Sequence, residues 1–184
     1  MVGSIQPDCL GQSGRSRTDL FVREAGLLRN GGGGVTAQLI ADGVHVHPDL
    51  LRWTAQVLST DALVLITDAL PAAGLPNGIY SYDGQSYHSE GGSAWSRRPG
   101  QPDRLFGTTL LLDDLVRRSM RFMGVSFAQA IQMASLNPAR TLGLEKRIGQ
   151  MAPGRQADLV VWDENFHVVS TMIRGRTVFD SSSV

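Results

Sequence analysis

Apolar positions along the chain fall in short runs that stop sharply at polar residues. Leu63-Val64-Leu65-Ile66 gives way to Thr67-Asp68, and a loop rich in Pro and Gly follows from Pro71 to Gly78. A run this apolar and this short reads as a strand covered on both faces, the kind found in parallel sheets. Gln38-Leu39-Ile40-Ala41 behaves alike and breaks into Asp42-Gly43-Val44-His45-Val46-His47-Pro48. Strands are therefore expected at Gln38–Ala41 and Ala62–Thr67. Between them, Asp49 to Ser59 reads as a helix. Pro48 suits its start, and Leu50, Leu51, Thr54, Val57 and Leu58 share one face. Strand, helix and strand with short joins make a βαβ unit, whose strands are parallel neighbours. Its geometry puts His45 and Asp68 at the same sheet edge.

The remaining pattern continues the alternation. Tyr80 to Gly100 mixes polar and aromatic residues around Asp83-Gly84, a hairpin signal. That hairpin follows the Asp68 strand and flanks the mouth of any site there, with Tyr80, Tyr82 and Tyr87 as its packing. Thr109 to Met123 carries an apolar face (Leu110, Leu111, Leu115, Met120, Phe122) and Gly124 is placed to end it. Ser126 suits the N-cap of a helix bearing Phe127, Ala130, Ile131 and Ala134. Asn137-Pro138 starts a short helix that closes near Gly143. Leu159 to Trp162, Val168 to Ile173 and Thr177 to Phe179 read as strands joined by turns at Glu164-Asn165 and Arg174-Gly175, with Trp162 and Met172 in their core. Met1 to Arg17 is rich in Gly, Ser and Gln without periodicity and is expected to be loose. Gly31 to Gly34 reads as a connector, because no Lys-Ser/Thr follows it as in a phosphate-cradling loop.

Chemistry enters through the strand ends. A carboxylate at the C-terminal end of a buried parallel strand occupies the position where α/β barrels hold catalytic groups. The bland alternative is that Asp68 caps a turn. His45 at the neighbouring edge favours the first reading, since a His and an Asp there suit proton transfer or metal-assisted hydrolysis. Charge narrows the partners. Lys and Arg number 17, as do Asp and Glu, so the formal net charge is zero. That balance gives no basis for binding nucleic acid or an anionic membrane. Arg97-Arg98 and Arg117-Arg118 are pairs, read as solvated surface. Cys9 is the one cysteine, so no intramolecular disulfide forms and a reducing, cytoplasmic setting fits. No stretch has the length and apolarity of a membrane span, and no secretory signal is evident at the start.

Several of these segments together resemble a known family. Ile40-Ala41-Asp42-Gly43-Val44-His45, Leu65-Ile66-Thr67-Asp68-Ala69 and Leu105-Phe106-Gly107-Thr108-Thr109-Leu110 resemble the second half of the N-acetylglucosamine-6-phosphate deacetylase family, within the metal-dependent amidohydrolase superfamily. Ala134-Ser135-Leu136-Asn137-Pro138-Ala139-Arg140 and Leu142-Gly143-Leu144 are similar to its late helices. Gly149-Gln150-Met151-Ala152-Pro153-Gly154-Arg155-Gln156-Ala157-Asp158-Leu159-Val160-Val161 resembles the superfamily's return to a small β domain. The resemblance is dense from about Gln38 to Asp180.

The resemblance implies an α/β fold: the last β/α units of a (β/α)8 TIM barrel with a small C-terminal β-sandwich portion. Residues 1–34 are then a poorly structured N-terminal segment, 35–148 the partial barrel and 149–184 part of the small β domain. It implies a hydrolase that removes acetate from N-acetylglucosamine-6-phosphate, with a divalent metal, Zn²⁺ or similar, as cofactor. Asp68 matches the catalytic Asp that takes a proton from water and passes it to the leaving amine. His45 matches a His that polarises the scissile amide, and Arg23 an Arg that holds the sugar phosphate. Asp42, Gly43 and Val44 match the loop lining the sugar; Leu105, Phe106 and Gly107 match a loop over the substrate. Family members run to roughly twice this length and take metal ligands from a Glu and paired His upstream. Thr18-Asp19-Leu20-Phe21 resembles the family's Thr-His-Leu-Phe, with Asp19 where a metal-binding His stands. Asp can ligate Zn²⁺ through oxygen, but with no upstream Glu the affinity is expected to be weak. His47, His88 and His167 match no family metal position.

Two readings from different classes follow: an amino-sugar deacetylase, or a partial barrel that acts only in assembly or binding. An amidohydrolase acting on another amide is a narrower alternative. Three or so β/α units cannot close an eight-stranded barrel, and an isolated chain would leave an open parallel edge and apolar helix faces. Light scattering on the purified chain is accordingly expected to show homo-oligomers, swapped species or poor solubility; a monodisperse, stable monomer would contradict this.

Overall fold

The structure is a computed structural model that describes residues 27–29, 35–97, 100 and 102–183. Cys9, Asp19, Arg23 and Gly31 to Gly34 lie outside the described residues. Strands β1 (Leu27–Arg29), β2 (Val35–Leu39) and β3 (Leu63–Leu65) form one sheet in that order. β2 and β3 are parallel, with Ala37 opposite Leu63 and Leu39 opposite Leu65, as the βαβ reading requires. Helix α1 (Pro48–Val57) makes the crossover; His47 caps it by accepting the Asp49 N–H at 3.2 Å. β1 runs antiparallel to β2, with Leu28 opposite Thr36. Residues 1–34, expected to be poorly structured, include β1, and the open parallel edge expected of the sheet falls at β3, which has no strand beyond it among the described residues.

Both parallel strands end earlier than their apolar runs suggest. β2 stops at Leu39, not Ala41, because Asp42 organises the following turn: its Oδ1 accepts the N–H groups of Val44 and His45, each at 2.9 Å. β3 stops at Leu65, not Thr67, because its partner β2 ends at Leu39, whose carbonyl accepts the Ile66 N–H at 3.0 Å; two residues on, Asp68 takes a left-handed φ of 49°. Ala62 belongs instead to a 3₁₀ turn, Thr60–Ala62, capped by Ser59.

Period-2 alternation then builds the core. Ala37, Leu39, Leu63 and Leu65 join Leu51 of α1, Val116 and Met123 of α2 (Leu112–Met123), and Ala130 and Met133 of α3 (Phe127–Ala134). Full burial of each large member is worth about 1.5–3 kcal/mol. α2 starts three residues after the expected Thr109. It ends on Gly124 at φ 71°. Ser126 and Gln129 cap α3 reciprocally: the Ser126 N–H donates to Gln129 Oε1 at 2.9 Å, and the Gln129 N–H to Ser126 Oγ at 3.3 Å. α4 (Leu136–Thr141) carries Asn137, which is 2% exposed. Its Nδ2 donates to the carbonyls of Thr60 and Leu63, each at 2.7 Å. The Asn-Pro helix is thereby stapled to the start of β3.

The hairpin expected over Tyr80–Gly100 is part of a larger sheet. β4 (Gly78–Tyr82), β5 (Gln85–Glu90), β6 (Ser93–Ser96) and β7 (Arg104–Thr108) form an antiparallel meander in sequence order. Asp83 and Gly84, at φ 49° and 71°, make the tight first turn; positive φ at both centres is what the primed turn needs. Leu105-Phe106-Gly107, expected in a loop, lies within β7. The reason is its pairing with β6, Leu105 opposite Trp95 and Gly107 opposite Ala94; at its end Thr108 makes a single parallel bridge to Ala69 in the chain leaving β3.

Past α4, β8 (Leu159–Trp162), β9 (Val168–Ile173) and β10 (Arg176–Asp180) form a single antiparallel sheet with β9 central, where a sandwich portion was expected. The Trp162 ring meets Phe127 of α3 edge-on at 5.4 Å between centroids, which docks this sheet on the helices. The architecture is mixed α/β with parallel and antiparallel sheets; no complete barrel is present among the described residues. No helix there is long and apolar enough to cross a membrane.

Asn137→Ala strands two backbone carbonyls at the start of β3. It is expected to lower stability by about 2–3 kcal/mol, read as a shifted urea midpoint at constant slope. Asn137→Asp, which offers only acceptors there, should be no better tolerated.

Candidate active site

Two polar clusters lie beyond the C-terminal ends of β2 and β3. In the first, His45 Nδ1 meets Asp42 Oδ2 at 2.7 Å, with side-chain exposures of 4% and 1%. The other Asp42 oxygen holds the Val44 and His45 N–H groups. Burial pushes the Asp42 carboxyl up, but the bond and the charge of the His45 ring, with the two backbone N–H groups, outweigh it and hold it below the usual value. Asp42 therefore acts on His45, and its carboxylate is already engaged inside the loop.

Helix α2 presses on this loop from outside. Arg118 Nη1 donates to the Asp42 carbonyl at 2.8 Å. Gly43 has φ 81°, and a Cβ there would sit 2.8 Å from the Phe122 ring, so both conformation and contact require glycine. Val44 is the exposed member of the loop. Arg118, like Arg117, was read from the sequence as solvated surface; a doublet of Arg carries no signal of the distant groups that its members reach. Its neighbour Arg117 binds Asp113, Asp114 and the Phe166 carbonyl.

In the second cluster Asp68 is exposed at the strand end. Thr108, fully buried, surrounds its backbone. The Thr108 Oγ1 donates to the Thr67 carbonyl at 2.7 Å and its N–H to the Asp68 carbonyl at 2.9 Å, while its own carbonyl accepts the Leu70 N–H at 2.9 Å. Gly107 closes the approach: a Cβ on it would lie 2.8 Å from the Asp68 carbonyl oxygen and 3.6 Å from Oδ2. Phe106 packs into the meander, edge-on to Tyr87 at 5.9 Å, and Leu105 pairs with Trp95. The Tyr87 hydroxyl in turn accepts the Ala72 N–H at 3.2 Å, so the meander also steadies the loop after Asp68. Thr108 was quoted in the sequence only as part of a run; its role depends on a contact across forty residues that no local pattern announces.

A cavity of about 450 Å³ opens beside Asp68, lined by Gln38 and Val64 of the sheet, by Ile66 and Thr67 just beyond β3, and by Pro138 and Thr141 of α4. His45 is not among its lining residues. The structure thus brings His45, Asp42 and Gly43 into one cluster and Asp68 with Gly107 into another, at the same end of adjacent strands. Arg23 and Asp19 lie outside the described residues.

Comparison with known proteins places this arrangement. A model of the amidohydrolase family matches residues 19–178. The chain belongs to the amidohydrolase family. A putative N-acetylgalactosamine-6-phosphate deacetylase of Escherichia coli K12 is 39% identical over 164 residues, covering 86% of this chain and 93% of that protein. The N-acetylglucosamine-6-phosphate deacetylase of Bos taurus is 40% identical over 77% of this chain and 34% of its own length. Among solved structures, an Asp-to-Ala variant of the N-acetyl-D-glucosamine-6-phosphate deacetylase of Mycobacterium smegmatis, in complex with N-acetyl-D-glucosamine-6-phosphate, superposes with a TM-score of 0.69 at 34% identity. That match covers 79% of this amidohydrolase chain and 38% of the other. The chain spans nearly all of the first relative but only about a third of the second.

Amidohydrolases are generally metal-dependent. Among the described residues no group of three or more His, Cys, Asp or Glu could hold a metal ion, and the His45 Nδ1 is engaged by Asp42. These residues by themselves do not fit a metal centre.

The Asp42–His45 pair has a measurable acid signature. The folded carboxyl lies below its unfolded value of about 4, so the pair's stabilisation is complete above that pH and is lost as pH falls through the folded pKa. Asp42→Asn is expected to remove this dependence and to cost about 1–3 kcal/mol at neutral pH, measured by urea unfolding at a series of pH values. An unchanged acid limb in the variant would refute the assignment.

Proposed function

We propose that this amidohydrolase chain carries the acid–base half of a deacetylase acting on N-acetylated amino-sugar 6-phosphates, with N-acetylglucosamine-6-phosphate as substrate. The observation that supports this reading best is Asp68, a carboxylate at the C-terminal end of a buried parallel strand with His45 beyond the neighbouring strand. Asp68 takes a proton from the water whose oxygen attacks the acetyl carbon. His45 stabilises the oxyanion that forms on the former carbonyl. Asp68 then returns the proton to the amine nitrogen as the C–N bond breaks, which releases acetate and the free amino-sugar phosphate. Arg23 holds the phosphate through its guanidinium fork. Gly43 and Val44 line the sugar, with Asp42 setting the orientation of His45. Leu105 and Phe106 border the substrate from β7, and Gly107 gives Asp68 its room. Asp19 is proposed as a weak metal ligand, with the remaining donors contributed from outside the described residues.

The galacto epimer is a second reading, because the E. coli relative is named for N-acetylgalactosamine-6-phosphate. Among the described residues the sheet order leaves β3 at an edge, so we infer assembly with barrel segments from outside this chain or from a second copy.

Activity on both epimers, assayed with the chain alone and after reassembly with an upstream barrel half, tests the reading. In whichever preparation is active, Asp68→Asn is expected to abolish ordinary turnover, a loss of about 10²–10⁴ in kcat. His45→Asn should cost less, and Arg23→Ala should mainly raise KM for the phosphorylated sugar. An unchanged kcat in Asp68→Asn would sink the assignment and return Asp68 to the role of a loop cap.

A further inference from the structure

Asp68 is a non-glycine residue in the left-handed region, at φ 49°. Asp tolerates that region better than most residues, yet it still costs energy there. Such a conformation persists only where the surroundings over-determine it. The surroundings here converge on one residue. Rotation about the Asp68 backbone is defined by the peptide plane before it and the plane after it. The Thr108 hydroxyl holds the first plane through the Thr67 carbonyl at 2.7 Å. The Thr108 N–H holds the second through the Asp68 carbonyl at 2.9 Å, and the Thr108 carbonyl takes the Leu70 N–H at 2.9 Å. Thr108 is itself fixed: it is fully buried, and it pairs with Ser93 in the meander.

We propose that Thr108 is a positioning residue for Asp68. Its hydroxyl sets the peptide plane on which the Asp68 carboxylate is mounted, and so sets the carboxylate's aim. Gly107 is the companion requirement, because any side chain there meets the Asp68 carbonyl. The hydroxyl matters more than the residue's bulk. The two backbone bonds survive substitution and keep β7 in place, whereas only Oγ1 reaches Thr67. The kinetic consequence rests on the deacetylase reading; the conformational one does not.

Thr108→Val keeps a β-branched side chain of nearly the same shape and removes the hydroxyl alone. Thr108→Ser keeps the hydroxyl. In the isotopically labelled chain, the Asp68 ¹³Cα and ¹³Cβ shifts and its HN–Hα coupling report the left-handed φ. They are expected to move in Thr108→Val and to stay at parent values in Thr108→Ser. In an active preparation, Thr108→Val should lower kcat about ten- to a hundredfold, as a misaimed catalytic group does. KM should be unchanged, with Thr108→Ser close to the parent. If Thr108→Val does not fold, hydrogen exchange in the parent decides: the Thr108 and Leu70 amides must be protected, and exchange at unfolded-chain rates would overturn the proposal. Unmoved Asp68 signals in a folded Thr108→Val would also overturn it. Absence of turnover by every preparation would defeat the deacetylase reading and leave the conformational result to stand or fall by itself.

Discussion

The parallel register of β2 and β3 is the constraint on which the rest of the molecule depends. With Leu39 opposite Leu65, the two chains leave the sheet side by side and at one end. A shift of a single residue would turn Leu39 and Leu65 away from α2 and α3 and leave the core without its floor. Burial therefore fixes register, and register fixes that the Asp42–His45 loop and Asp68 emerge as neighbours. Asn137 guards the same register from the far end, by binding the Leu63 carbonyl with a group that cannot slide. The end that carries His45 and Asp68 gains its geometry from apolar packing some distance away.

The two polar clusters are held by different physics. His45 belongs to a closed electrostatic unit: a buried imidazole on a buried carboxylate that is itself satisfied by backbone N–H groups. Such a unit is stable because every member is paired, and it is costly to break at any one member. Asp68 is exposed, and its side chain is free to meet solvent and ligand. Its precision comes from the backbone beneath it. One cluster spends charge to hold a ring; the other uses a strand to aim a carboxylate.

Much of this was legible along the chain. The βαβ unit, the Asp83-Gly84 turn, the Gly124 and Ser126 caps and the three late strands all rest on local signals, and local signals survive into the fold. So did the placement of His45 and Asp68 at one edge, since it follows from parallel pairing alone. Strand ends were less legible. Ile40-Ala41 and Ile66-Thr67 are apolar enough to continue a strand, but Asp42 and Asp68 reorganise the backbone just beyond them. The role of Leu105-Phe106-Gly107 was hidden for a different reason. An edge strand is defined by its partners, here β6 along its length and, through Thr108, Ala69, which is far away in sequence. Arg117 and Arg118 were hidden because nothing local announces the distant carbonyls of Phe166 and Asp42 that they bind. Asp42 was visible as a residue of the site but its office was not, because a carboxylate's partner is chosen by the turn it closes.

The bond between Thr108 and the chain beside Asp68 crosses 41 residues of sequence, and that separation shapes the order of events in folding. β2, α1 and β3 are close in the chain and can condense early at small entropic cost. The backbone around Asp68 must wait until the four-stranded meander has formed and returned Thr108 of β7 to the chain beyond β3. The core and the aimed carboxylate are therefore separable cooperative units, and the second can open while the first persists. A protein built this way can lose the alignment of the Asp68 carboxylate through a fluctuation of the meander alone, long before any unfolding of the sheet that carries it.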